Sequence, residues 1–114
     1  MCVLQIDGRP RINCMRGRVN HRGWIVLTSV TSDDNSMCVD FFEGSEGGFG
    51  FEHLRADPED AGHWTAVGGF ERARFESIPD AVDAAAGAIY WLNQSPRARA
   101  AVEGWMRRVA SERP

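Results

Sequence analysis

Ser77-Ile78-Pro79-Asp80 is where the sequence changes its period. A serine able to cap, a proline in the first turn and an aspartate near the positive end of the helix dipole make a helix-start signal of the capping-box kind. Beyond it, Ile78, Val82, Ala85, Ile89 and Leu92 recur at helical spacing and predict one stripe facing a core. Asn93-Gln94 interrupts the run, and Ser95-Pro96 opens another, with Ala98, Val102, Trp105 and Val109 as its stripe. The spacing predicts two C-terminal helices, about 78–93 and 96–110. They read as a helical hairpin; a single continuous helix would be kinked at Pro96.

Upstream of Ser77 the pattern is that of strands. Cys2-Val3-Leu4-Gln5-Ile6 alternates and Asp7-Gly8 signals a hairpin turn, with Arg11 to Val19 as the returning strand. Asn20-His21-Arg22-Gly23 reads as the next turn. Trp24 to Val30 is almost continuously apolar or β-branched, as expected of a central strand buried on both faces. A polar turn over Thr31 to Ser36 precedes a strand at Met37 to Phe42. The loop Glu43-Gly44-Ser45-Glu46-Gly47-Gly48 leads to a strand at Phe49 to Leu54. After the acidic loop Asp57 to Gly62, His63 to Val67, Gly68-Gly69 and Glu71 to Phe75 read as a last hairpin. Strands first and helices last give an α+β fold. The expectation is an antiparallel β-meander of about five to seven strands within residues 2–75, followed by the two helices packed on one face.

Composition bounds the possibilities. A chain of 114 residues with 43% hydrophobic and 25% charged residues is expected to be one globular domain, 1–114. Three cysteines, Cys2, Cys14 and Cys38, without a C-x-x-C pair argue against a disulfide framework or a four-ligand zinc site. No charged segment followed by an apolar run suggests a signal peptide, and no apolar stretch nears the roughly 20 residues that cross a bilayer. The expectation is a cytoplasmic protein that does not engage membranes. Every one of the 13 basic residues is Arg, which fits a GC-rich, bacterial coding sequence.

Charge is distributed unevenly. Residues 1–30 carry five Arg and one Asp, residues 31–83 carry thirteen carboxylates and three Arg, and residues 84–114 carry five Arg and two Glu. Clustered charge of one sign selects partners of the other. Arg11, Arg16, Arg18 and Arg22, with Trp24 nearby, form a candidate single-stranded nucleic-acid surface, where guanidinium groups neutralise phosphates and an aromatic ring stacks on bases. Charged edge strands also simply resist aggregation, and a pI near 5.5 is low for a nucleic-acid binder.

Three other constellations bear on chemistry. His53 and His63 flank Asp57, Glu59 and Asp60, but at no recognised metal-ligand spacing, so no metal or cofactor is expected. Cys14 lies between arginines that would lower a thiol pKa, yet on the apolar side of its strand. No phosphate-binding glycine loop, nucleophile elbow or zincin motif is present, so no enzyme is expected. On the first helix, at about 100° per residue, Tyr90 and Trp91 fall outside the Ile78 stripe. Ala84, Gly87, Ala88 and Trp91 make a face of small residues. Tyr90, Trp91 and Trp105 are therefore the candidate interface, closed either by the second helix or by another chain, since aromatic residues anchor interfaces.

The segment Phe75-Glu76-Ser77 through Asp80-Ala81, Ala85, Ile89 and Trp91-Leu92 resembles the end of a HicB-type antitoxin domain, where strands precede a helix with an Ala-rich stripe ending in a Trp-Leu-like pair. The resemblance covers under a third of the chain, lacks the family's proline-rich turn before the last strand, and assigns a role to no residue. The sequence as a whole predicts a binding or protein-interaction module, engaging a protein partner or a second copy of itself. The alternative is single-stranded nucleic-acid binding through the Arg-rich N-terminal strands.

Overall fold

The computed structural model describes residues 19–20, 22–57 and 63–112. Four strands form an antiparallel meander in the order β1 (Ile25–Thr31), β2 (Met37–Glu43), β3 (Phe49–Asp57) and β4 (His63–Val67). A 3-10 turn at Phe70–Arg72 follows, then α1 (Ile78–Ala88), α2 (Tyr90–Gln94) and α3 (Pro96–Glu112). The chain is thus an α+β protein with its helices after its sheet. The described residues hold four strands, fewer than the five to seven expected. The strands expected at 2–6 and 11–19 lie outside them, apart from Val19, which bridges Ile25 across the Asn20–Trp24 turn.

Two expectations fail for physical reasons. The strand buried along both faces is β2, whose residues Cys38 through Phe42 are all buried. In β1 a bulge between Val26 and Thr28 interrupts the pairing, and Ser29 is exposed. The expected hairpin at 63–75 is instead one interrupted edge strand. β4 pairs with the second half of β3, and after Gly68 and Gly69, both at positive φ, the chain continues in the same direction. Phe75 then pairs with Phe49 at the other end of β3, with N–H···O bonds of 2.8 and 2.9 Å. Aromatic burial explains the choice. Phe70 and Phe75 lie 5.3 and 6.3 Å from the Phe51 ring, contacts that a hairpin turned outward would forfeit.

The register sorts the sheet into two faces, because directly paired residues point the same way. Val30↔Val39↔His53↔Val67 and Phe41↔Phe51 face the helices. They meet Val82 and Ala85 from α1, Ile89 between the helices, Leu92 from α2, and Ala98, Val102 and Trp105 from α3, so both predicted stripes contribute to the core. The other face carries Asp40 directly opposite Glu52, both buried, at 4% and 1% exposure. Ser29 Oγ donates to Asp40 Oδ1 at 2.5 Å and Arg22 Nη2 donates to Glu52 Oε2 at 3.3 Å, which offsets part of the cost of burying two carboxylates side by side.

Candidate binding surface

The surface is built where the helical run breaks. α1 begins as the sequence predicts: Ser77 is extended and its Oγ accepts from the Asp80 N–H at 3.2 Å. It ends sooner, because Ile89 is extended at φ −117° and ψ 100°. Gly87 and the β-branched Ile89 both weaken helix propagation at this point. The break resets the helical phase, so that the angular positions of Tyr90 and Trp91 on a continuous helix no longer apply. Trp91 turns inward to 8% exposure, while Tyr90 stands at 74%.

Of the three candidate interface residues, only Tyr90 therefore lies on the surface. The Trp91 indole N–H donates to His53 Nε2 at 3.2 Å. An indole nitrogen only donates, so His53 accepts there as neutral imidazole. Burial pushes its pKa below the ordinary 6.5, in the same direction. Trp105 is buried at 6% with its ring 5.3 Å from that of Phe41. Both tryptophans thus pack within the chain. On the small-residue face Gly87 and Ala88 are exposed, and nothing approaches within 4 Å of where a Gly87 Cβ would sit.

Tyr90 stands on the rim of a groove of about 450 Å³ between the β1–β2 turn and the α2–α3 junction. Ser32, Asp33, Asp34, Ser36 and Met37 line one side; Tyr90, Trp91, Gln94, Ser95 and Pro96 line the other. Ser95 joins the two. Its hydroxyl donates to Asp33 Oδ1 at 2.8 Å and accepts from the Ala98 N–H at 3.1 Å, so the residue that caps α3 also ties down the turn. Asp34 Oδ1 accepts from Ser36 Oγ at 2.7 Å, Ser36 N–H at 3.0 Å and Ser32 Oγ at 2.8 Å. These bonds, those from Ser36 foremost, hold its pKa down at about 2. A residue pair separated by 62 positions closes this groove, and no local pattern in the sequence announces that contact.

The Arg candidates divide. Arg11, Arg16 and Arg18 lie outside the described residues. Arg22 sits 5.3 Å from the centroid of Trp24, as stacking would require, but Glu52 and Glu71 both claim it, at 3.3 and 3.8 Å. One face of Trp24 stacks on Phe42 with centroids 4.4 Å apart. A further cation, missed in the sequence, completes the cluster: Arg74 lies 4.4 Å from the Trp24 centroid and donates to the carbonyls of Glu71 and Ala73. It follows the 3-10 turn, whose course no periodicity foretells. Beside it Trp24, Arg74 and the Gly44–Gly47 loop enclose a second cavity of about 420 Å³.

Among the described residues, no group of three or more His, Cys, Asp or Glu side chains is arranged to hold a metal ion. His53 faces the core, whereas His63 is exposed at the start of β4. Among the described residues, no helix is long and apolar enough to cross a membrane. No family model, curated protein or solved structure matches the chain.

Proposed function

We propose that this chain is a non-catalytic binding module that docks a polypeptide through the groove beneath Tyr90. The observation that carries this reading is the contrast at the helix break: both tryptophans are buried, and Tyr90, beside one of them, stands open over a groove. A volume of about 450 Å³ falls within the usual range for ligand sites. A tyrosine brings a large, rigid contact area with little side-chain entropy to lose, which suits an anchor. The groove walls are fixed by the Ser95–Asp33 bond and the α3 cap, so docking does not have to order them. A photo-crosslinking residue placed at Gln94, on the groove, should give one discrete protein adduct in the producing cell, and the same residue at the exposed Glu103 should not. A uniform smear from both positions, or no adduct from either, contradicts the reading.

Single-stranded nucleic acid is the second reading, favoured by Arg22 and Arg74 flanking Trp24. The Glu52 and Glu71 carboxylates at Arg22 and the Phe42 ring on Trp24 weigh against it, since a base would have to displace contacts already made.

A further inference from the structure

We infer that the Tyr90 groove selects an arginine side chain of the partner polypeptide. This rests on the docking reading above and deepens it. The groove is divided by chemistry. Met37, Trp91 and Pro96 offer apolar surface, and Asp33 and Asp34 bring two carboxylates. Arginine is the side chain with that same division: an apolar stem ending in a planar cation. Tyr90, exposed on the rim, offers the aromatic face over which a guanidinium binds.

Charge complementarity points the same way. None of the described arginines lines the groove, and neither Asp33 nor Asp34 takes part in an ion pair among the described residues. The side chain of Ser95 donates to Asp33 at Oδ1, and Ser32 and Ser36 donate to Asp34 at Oδ1. The Oδ2 atoms accept none of these, so each carboxylate keeps acceptor capacity for a further donor. The hydrogen bonds to Asp34 keep it ionised down to about pH 2, so its negative charge is present throughout the physiological range. A guanidinium presents five donors in a plane and can serve two carboxylate oxygens at once, whereas an ammonium acts as a point charge. A divalent cation is a poorer fit, since the two carboxylates are joined by no further His, Cys, Asp or Glu of a coordinating group among the described residues.

The test is an NMR titration of the isotope-labelled full chain with N-acetyl-arginine amide and with the neutral, nearly isosteric N-acetyl-citrulline amide. The arginine compound should shift the amide signals of Asp34, Tyr90, Gln94 and Ser95 saturably. The dissociation constant should be on the order of 1 mM, as befits one side chain in an exposed site. The citrulline compound should bind about tenfold more weakly or worse, because the charge-assisted bonds are gone. Tyr90→Ala should weaken binding about 2–5-fold. The Asp33→Asn/Asp34→Asn double variant, its fold checked by its own spectrum, should lose the preference for arginine over citrulline. Equal response to the two compounds, or shifts confined to another surface, overturns the inference. Shifts of the groove signals on concentrating the chain alone would put a second copy there and overturn it as well. A discrete adduct from position 94 without any arginine preference would sink this inference and leave the docking reading standing; loss of both would remove both.

Discussion

At the scale of residues, His53 and Trp91 form a contact across 38 positions beside the helix break. The Trp91 indole needs an acceptor in the core, and only the neutral form of His53 supplies one at Nε2. Trp91→Phe keeps an aromatic ring but removes the donor to the half-buried His53, at a cost of about 0.5–1.5 kcal/mol in urea unfolding. The same contact makes stability depend on pH. Burial holds the folded pKa of His53 below its ordinary value of 6.5. Between the two values the unfolded chain binds more protons, so stability rises with pH across that window. The contribution of His53 is full above about 6.5 and is lost as pH falls through the folded pKa. Asp34 does not confuse the window, because its folded value of about 2 and ordinary value of 3.8 both lie lower. Thermal midpoints should fall between about pH 7.5 and pH 5 in the natural chain, and fall less in His53→Gln. An equal drop in both proteins would assign the effect to other groups.

At the scale of elements, two glycines should respond in opposite ways to the same change. Gly87 lies in α1 with open space around its absent Cβ, so Gly87→Ala should stabilise by about 0.5–1 kcal/mol. Gly50 lies in β3, where a Cβ would come within 2.7 Å of Phe42 Cζ and 3.0 Å of the Ala73 carbonyl oxygen. Gly50→Ala should therefore destabilise by about 1–3 kcal/mol through overpacking. Ile89, 2% exposed at the break, should cost about 2–5 kcal/mol when cut to Ala. Chemical denaturation of the three variants reads all of these, and a loss under half a kcal/mol at Ile89 would mean that the stripe does not face the core.

These elements also show what the sequence could reveal. The Ser77 cap, the two helical stripes and the turns at Asn20–Gly23 and Ser32–Ser36 follow from local rules, and the chain obeys them. The end of α1 at Ile89 was not legible, because the break goes with the burial of Trp91 against His53, a contact across 38 residues that no local pattern announces. The course of residues 68–75 was hidden for the same reason: Gly68-Gly69 permits a hairpin, and the Phe51 ring, far upstream, rewards the alternative. Of the candidate interface, the angle on a continuous helix set Tyr90 and Trp91 alike outside the stripe, and only the break separates the exposed Tyr90 from the buried Trp91; Asp33 and Ser95 meet only through the tertiary fold.

At the scale of the whole molecule, the issue is whether uneven charge makes a nucleic-acid surface. Arg22 lies against Glu52 and Glu71, well inside the roughly 8 Å over which salt at physiological strength leaves charges interacting. Internal pairing of this kind lowers the number of phosphates the chain can neutralise. Anisotropy with a labelled single-stranded oligonucleotide at about 0.15 M salt should show binding weaker than the ~10⁻⁴–10⁻⁶ M of ordinary non-specific binders. Submicromolar, salt-sensitive affinity that disappears in Arg22→Ala/Arg74→Ala would reverse the order of the two functional readings.

The central claim is that Tyr90 serves docking and not folding. It is tested most directly by Tyr90→Ala in the chain carrying the crosslinker at position 94, with adduct yield and unfolding free energy measured on the same protein. A residue 74% exposed should leave stability within about 0.5 kcal/mol of the parent, as surface substitutions do, while the adduct yield falls several-fold. An undiminished adduct, or a stability loss as large as that of a core truncation, would contradict the account.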